Sequence, residues 1–149
     1  MSEATDDEIE CLAKGSVIIW KNFEFFETGE KKDSRFLILS DCHSLYHYFL
    51  GVRATTKIEF YKKTQSTIER TFIIIPTNKE SSFTKKVVID FNNIRTLYRE
   101  EIKKGWGKEI SKIKPISGEM IKLIEDKVSS SKTIRKDWKL LILKSPKGL

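Results

Sequence analysis

The sequence predicts a mostly β, α+β fold, and three observations support this fold class. Short runs rich in β-branched and aromatic residues alternate with polar connectors, which is typical of a small barrel or a strongly bent sheet. One segment near the carboxyl terminus instead has apolar residues at helical spacing behind a good N-cap. The length of 149 residues suffices for a buried core without disulfide or metal support. We therefore predict a single domain over residues 1–149.

The amino-terminal part of the chain predicts an acidic arm followed by two strands. The arm covers residues 1–14. The first strand, over residues 16–26, is β-branched and aromatic, and the second, FLILS at 36–40, is apolar enough to be buried on both faces. The polar stretch 27–34 contains a glycine and predicts a hairpin loop between them. We expect the two strands to pair.

The middle of the chain has a weaker pattern. Residues 41–52 place Leu45, Phe49 and Val52 where they could share one helical face, so we predict a helix there. Further strands are predicted over residues 57–61, 71–75, 87–91 and 109–113.

The clearest helix signal begins at Ser117. This serine is a good N-cap, and Ile116 and Ile121 are spaced as a hydrophobic staple. The apolar stripe that follows consists of Met120, Ile121, Ile124 and Val128. We expect this helix to pack on the sheet. The basic tail, residues 131–149, fits either an added strand or a continuation of the helix.

Charge and cysteine usage narrow the classes of function. The chain has 28 Lys and Arg against 21 Asp and Glu, a net charge of +7, and its first ten residues contain acids but no Lys or Arg. Such a surplus favours an anionic partner, usually nucleic acid, although a solubilising surface explains it equally well. No apolar run is long enough to cross a bilayer, and the acidic start is unlike a secretory signal. Only Cys11 and Cys42 are present, so we expect a cytoplasmic protein with reduced thiols and no membrane partner.

The sequence lacks the common catalytic motifs. HExxH, P-loop, GxSxG and CxxC patterns do not occur, and we predict no metal and no cofactor. His43 and His47 would share a helical face beside Cys42, but ordinary histidines are the stronger interpretation. The charged run from Glu30 to Arg35 is, taken alone, typical of a solvated hairpin tip.

An ordered set of short motifs resembles the MazF/PemK (Kid) family of endoribonuclease toxins. The set comprises Gly15 with the apolar run after it, Gly29 and Glu30 in the loop, Arg35 ahead of FLILS, FIIIPT ending in Thr77, and NIRTL at 93–97. It spans roughly residues 14–130. The resemblance implies an SH3-like small barrel with a C-terminal helix packed on the sheet. It also implies a homodimer, a cognate antitoxin, and metal-independent, sequence-specific cleavage of single-stranded RNA.

The resemblance also implies which residues form the site. Arg35 and Thr77 match family positions that are catalytic, and Glu30 matches a loop carboxylate. The implied substrate-binding residues are Lys31, Lys32, Asn78, Arg95 and Thr96.

The chemistry of RNA cleavage suits these residue types. Attack of a ribose 2'-OH on the adjacent phosphate needs a base, stabilisation of the charged phosphorane and a proton for the leaving oxygen. An arginine fork can hold two phosphate oxygens, a threonine hydroxyl can donate to an oxyanion, and Glu30 could act as the base.

The chain departs from the family pattern at Ser16, Phe36 and Asn93. Residues 41–70 are also longer than typical and predict an enlarged insertion between core strands. These departures leave a second hypothesis open. The chain could be a non-catalytic binding module on the same barrel, acting on a protein or nucleic-acid partner as the related CcdB toxins act on a protein.

Overall fold

The computed structural model describes residues 12–25, 27–56 and 72–144. Its strands are β1 (Val17–Phe25), β2 (Glu30–Ile38), β3 (Tyr48–Thr55), β4 (Phe72–Ile75), β5 (Val87–Tyr98) and β6 (Ile110–Ile113), and its helices are α1 (Arg99–Gly105), α2 (Gly118–Ser130) and α3 (Lys136–Leu143). The strands form one antiparallel sheet in the order β4-β5-β3-β2-β1-β6. The predicted α+β class is confirmed. None of the helices in these ranges is long and apolar enough to cross a membrane.

The predicted pairing of the first two strands is confirmed, but the hairpin loop between them is shorter than predicted. The register runs from Val17 opposite Leu37 to Phe25 opposite Glu30, so residues 30–34 belong to β2 and not to a loop. This part of β2 has no pairing to β3 among the described residues, and side chains on both of its faces can reach solvent. Charged residues are therefore tolerated within this part of the strand. Residues 30–34 were predicted as part of the loop because the prediction used only their polarity.

The prediction of a helix over residues 41–52 is wrong. The segment makes a turn and then enters β3, which pairs with β2 on one side and β5 on the other. Leu45 is 73% exposed, and Phe49 and Val52 belong to different core clusters because alternate strand residues face opposite sides. The stretch 41–70, predicted as an insertion, thus contains a central strand. The strand predicted over 57–61 lies outside the described residues, as does most of the acidic arm.

The carboxyl-terminal helix agrees closely with its sequence signal. Ser117 is the N-cap of α2, and its Oγ accepts the backbone N–H of Met120 at 3.1 Å. Backbone in the extended region at Ser131 ends this helix. The tail then forms α3, a separate helix that is neither the added strand nor the continuation we considered. Helix α1, which follows β5 directly, was not predicted.

The sheet separates two apolar clusters. The larger lies between one sheet face and helices α2 and α3, and the smaller lies on the other face with α1. On the smaller face Arg95 of β5 contacts Phe23 and Phe25 of β1, although two strands stand between β5 and β1 in the sheet. The sheet is therefore strongly curled. The SH3-like barrel stays a prediction from the resemblance.

Candidate functional site

A cleft opens where β2 and β3 separate. Among the described residues, the two strands pair only where Phe36–Ile38 faces Gly51–Arg53. Beyond this point β2 continues along β1, and β3 continues along β5. The divergence leaves a cavity of about 350 Å³, closed on one side by the connection between β4 and β5. Its polar lining includes Asp33, Arg35, Arg53, Thr55, Thr56 and Lys85.

The cleft is electropositive and contains an unsatisfied buried donor. Arg35 is held in place because its Nη1 donates to the carbonyl oxygen of Ser82 at 2.8 Å. The Nε of Arg53 is buried and has no hydrogen-bond partner among the described residues, and neither has the Oγ of Ser82. Lys85 adds a third cation, whereas Asp33 is the one acid among the described lining residues. Because a buried donor without an acceptor is costly, this site suits an anion that supplies the acceptor.

The environment of Arg53 also affects its protonation. Burial lowers the pKa of its guanidinium from the ordinary arginine value, and the positive charge of Arg95 lowers it further, while the charge of Glu30 raises it. An anion in the cleft would counter both of the effects that lower the pKa.

The residues predicted from the resemblance fall into separate places. Arg35 lies in the cleft. Thr77 and Asn78 lie in an exposed turn after β4 and are not among the described lining residues. Arg95 and Thr96 line a second cavity.

The charged residues at the start of β2 are exposed or partly exposed. Glu30 and Lys32 form an ion pair at 2.8 Å between Oε2 and Nζ, and Lys31 is exposed. Glu30 is close enough to Arg53 for its charge to raise the pKa of that guanidinium, but it is not among the described residues that line the cleft.

Of the described residues that line the cleft, sequence reasoning identified only Arg35, and it missed polar residues that include Asp33, Arg53, Thr55, Thr56 and Lys85. One signal was present, because Arg53 is a lone charge in the otherwise uncharged stretch YFLGVRATT. A charge at such a position needs a partner or a function.

The second cavity, which we call the groove, has a volume of about 670 Å³ and lies between β1 and β5. Its aromatic lining consists of Trp20, Phe23, Tyr98 and Trp138, and its acidic lining consists of Glu24, Glu27 and Glu101. Arg95 pairs with Glu27 at 2.9 Å. The hydrogen bond from this arginine lowers the pKa of the Glu27 carboxyl.

The cleft and the groove are neighbours. The guanidinium carbons of Arg53 and Arg95 lie 5.2 Å and 4.8 Å from the centroid of the same ring, that of Phe25. One of these arginines lines the cleft and the other lines the groove. A ligand larger than a single phosphate can therefore contact both.

The histidines fit the ordinary interpretation. The Nδ1 of His43 accepts the backbone N–H groups of Leu45 and Tyr46 at 3.1 and 3.2 Å. No group of three or more His, Cys, Asp or Glu with a metal-binding arrangement occurs in the part of the chain that the structure describes.

Comparison of the chain with models of known protein families and with curated proteins gives no match.

Proposed function

We propose that this chain is an endoribonuclease that cleaves single-stranded RNA, with the scissile phosphate bound in the cleft between β2 and β3. The observation that carries the proposal is the buried, unpartnered Nε of Arg53 in a cavity that is also lined by Arg35, which is already oriented by Ser82. Two guanidinium groups suit a phosphate because their planar forks match its oxygens. The order of motifs that resembles the MazF/PemK family supports RNA as the source of that phosphate.

The proposed reaction uses groups of this chain, the RNA and water. Asp33 accepts the proton of the ribose 2'-OH, and the 2'-oxygen bonds to phosphorus while the bond from phosphorus to the 5'-oxygen breaks. The leaving 5'-oxygen takes up a proton from water, Asp33 returns its proton to water, and the products are a 2',3'-cyclic phosphate and a 5'-hydroxyl. Arg35 and Arg53 stabilise the charge that develops on the phosphorane.

For two roles we propose residues other than those that the resemblance implies. Asp33 is proposed as the base because it lines the cleft, where its Oδ1 accepts the backbone N–H of Asn22 at 2.9 Å and leaves Oδ2 for a proton. Glu30, the base suggested by the resemblance, does not line the cleft and is paired with Lys32. The hydroxyl donor is proposed as Thr55 or Thr56 for the same reason, with Thr77 as the candidate from the resemblance.

The nucleophile belongs to the RNA, which has two consequences. DNA lacks the 2'-OH, so it should bind without being cleaved. The proposed partners beyond RNA, a second copy of this chain and a cognate antitoxin, rest on the resemblance alone, as does the cytoplasm as the compartment.

The test is incubation of the purified chain with a long single-stranded RNA in EDTA, with mapping of the fragment ends. We expect cuts at a short sequence motif and a 5'-hydroxyl on each downstream fragment. Arg35→Ala, Arg53→Ala and Asp33→Asn should each slow cleavage by about 100-fold or more. Lys127→Ala removes one exposed charge from α2 and should cleave normally.

Comparison of Thr77→Ala with Thr55→Ala and Thr56→Ala identifies the hydroxyl that assists cleavage. The position of Thr77 outside the cleft favours the second hypothesis, a binding module without catalysis. Binding of RNA with no cleavage at high protein concentration would support that hypothesis and refute the nuclease.

A further inference from the structure

We infer that the groove binds one nucleobase of the RNA and selects a base that carries an exocyclic amino group. This inference rests on the proposed function, because it takes RNA as the ligand, but it concerns base recognition and not cleavage. It would make Glu101 a residue that determines sequence preference and Tyr98 a residue that stacks on the base whatever its identity.

The walls of the groove suit a planar ring. Trp20 and Phe23 are held edge to face with ring centroids 4.9 Å apart, and Trp138 of α3 is half-buried. Tyr98 is 47% exposed although it is a large aromatic residue within a strand. Exposed aromatic faces on a cationic protein are how unpaired bases are commonly bound, and stacking is worth about 1–3 kcal/mol per base.

The charge of the groove indicates a base and not a phosphate. Among the described residues that line the groove, three are acidic and one is an arginine, in contrast to the net charge of +7 on the chain. Glu27 is engaged by Arg95, but Glu24 and Glu101 have no ion-pair partner among the described residues. Carboxylates repel the RNA backbone, and they accept hydrogen bonds from the amino group of cytosine. Uracil presents a carbonyl oxygen at the same position, which a carboxylate disfavours.

The position of the groove links base recognition to the cleft. Arg53 and Arg95 flank the ring of Phe25, so a nucleotide with its phosphate in the cleft has the groove next to it. The cut would then fall beside the selected base.

The experiment measures binding separately from cleavage. Fluorescently labelled oligo(C) and oligo(U) of equal length, with 2'-O-methyl groups that block cleavage, are titrated with the full chain by anisotropy. The two pyrimidines have similar size, so their difference reports the amino group. We expect oligo(C) to bind about fivefold tighter or more.

Matched variants assign the effect to the groove. Glu101→Ala should remove the preference for oligo(C), whereas Glu100→Ala on the same helix turn should keep it. Tyr98→Ala should weaken binding of both oligonucleotides about fivefold or more, Tyr98→Phe should restore it, and Tyr46→Ala should change neither.

The outcomes separate this inference from the proposed nuclease. If the original chain cleaves RNA and Glu101→Ala keeps the preference for oligo(C) over oligo(U), the base subsite is overturned and the nuclease stands. A preference that is lost in Glu101→Ala, in a protein that cleaves nothing, supports the subsite and overturns the nuclease. Absence of binding to either oligonucleotide, with no cleavage, overturns both.

Discussion

Replacement of Glu80 by alanine tests whether the connection between β4 and β5 forms one hydrogen-bonded unit with α2. Glu80 is only 5% exposed. Its Oε1 accepts the backbone N–H of Ser117 at 2.7 Å, and its Oε2 accepts the Ser117 hydroxyl at 2.8 Å. The same connection carries Ser82, whose carbonyl oxygen holds Arg35. The carboxylate therefore joins the first turn of α2 to the wall of the cleft.

The magnitude follows from the two lost hydrogen bonds. Bonds to a charged group contribute about 1.5–3 kcal/mol each to the free energy of unfolding. Ser117 is exposed, so water replaces part of this interaction, and we expect Glu80→Ala to cost about 2–4 kcal/mol in total. For a domain of this size 1 kcal/mol corresponds to about 3 °C, so Tm should fall by about 6–12 °C.

The assay is thermal and urea unfolding followed by circular dichroism, with a double-mutant cycle. Ser117→Ala removes the N-cap as well as one bond to Glu80 and should cost about 1–2 kcal/mol. The double variant should cost less than the two single variants together, because they share one interaction. Glu119→Ala, an exposed residue in the same helix turn, should change stability by less than about 1 kcal/mol. Additive effects of the two variants, or a change in Tm below about 2 °C for Glu80→Ala, would refute the reasoning.

Three further predictions concern local contacts. A hydrogen bond from Arg95 lowers the pKa of the Glu27 carboxyl below its usual value of 4.5. The ion pair therefore contributes its full stabilisation above pH 4.5, and this contribution is lost as the pH falls through the lowered pKa. In urea unfolding, Glu27→Gln should be less stable than the original chain at neutral pH and equal to it well below 4.5. Gly15 and Gly29 both have positive φ, but a Cβ at Gly15 would lie 2.6 Å from the side chain of Ile121, whereas Gly29 has open space. Gly15→Ala should therefore cost about 1–3 kcal/mol more than Gly29→Ala, and equal losses would contradict the contact. Arg53→Met should change stability by no more than about 1 kcal/mol, because it removes a partly buried charge while keeping apolar volume, yet it should weaken RNA binding. A large loss of stability would show that Arg53 supports the fold and not the site.

Local patterns explain which parts of the fold the sequence predicted. The start of α2 follows from Ser117 and the spacing of the residues after it, and each of these signals acts within one or two helix turns. The β-branched and aromatic runs likewise identified β1, β4 and β6, because strand propensity is read from adjacent residues. The pairing of β1 with β2 was predictable since a short polar stretch joins them.

The site depended on the resemblance for one residue and on tertiary structure for the rest. The ordered motifs drew attention to Arg35, which does lie in the cleft. They also indicated Thr77, whereas Thr55 and Thr56 line the cavity with Arg35. A motif identifies residue types in order along the chain, but it does not determine which of several threonines is near the arginine.

By itself, the sequence determined the α+β class, the basic character of the chain and the helix that begins after Ser117, because each follows from composition or from short-range periodicity. Only the tertiary structure decided that residues 48–55 form a strand, since that segment is extended by pairing with strands on both of its sides. The cleft has the same origin. It exists because β2 follows β1 while β3 follows β5, and this divergence brings Arg35, Arg53 and Lys85 together from three separate stretches of the chain.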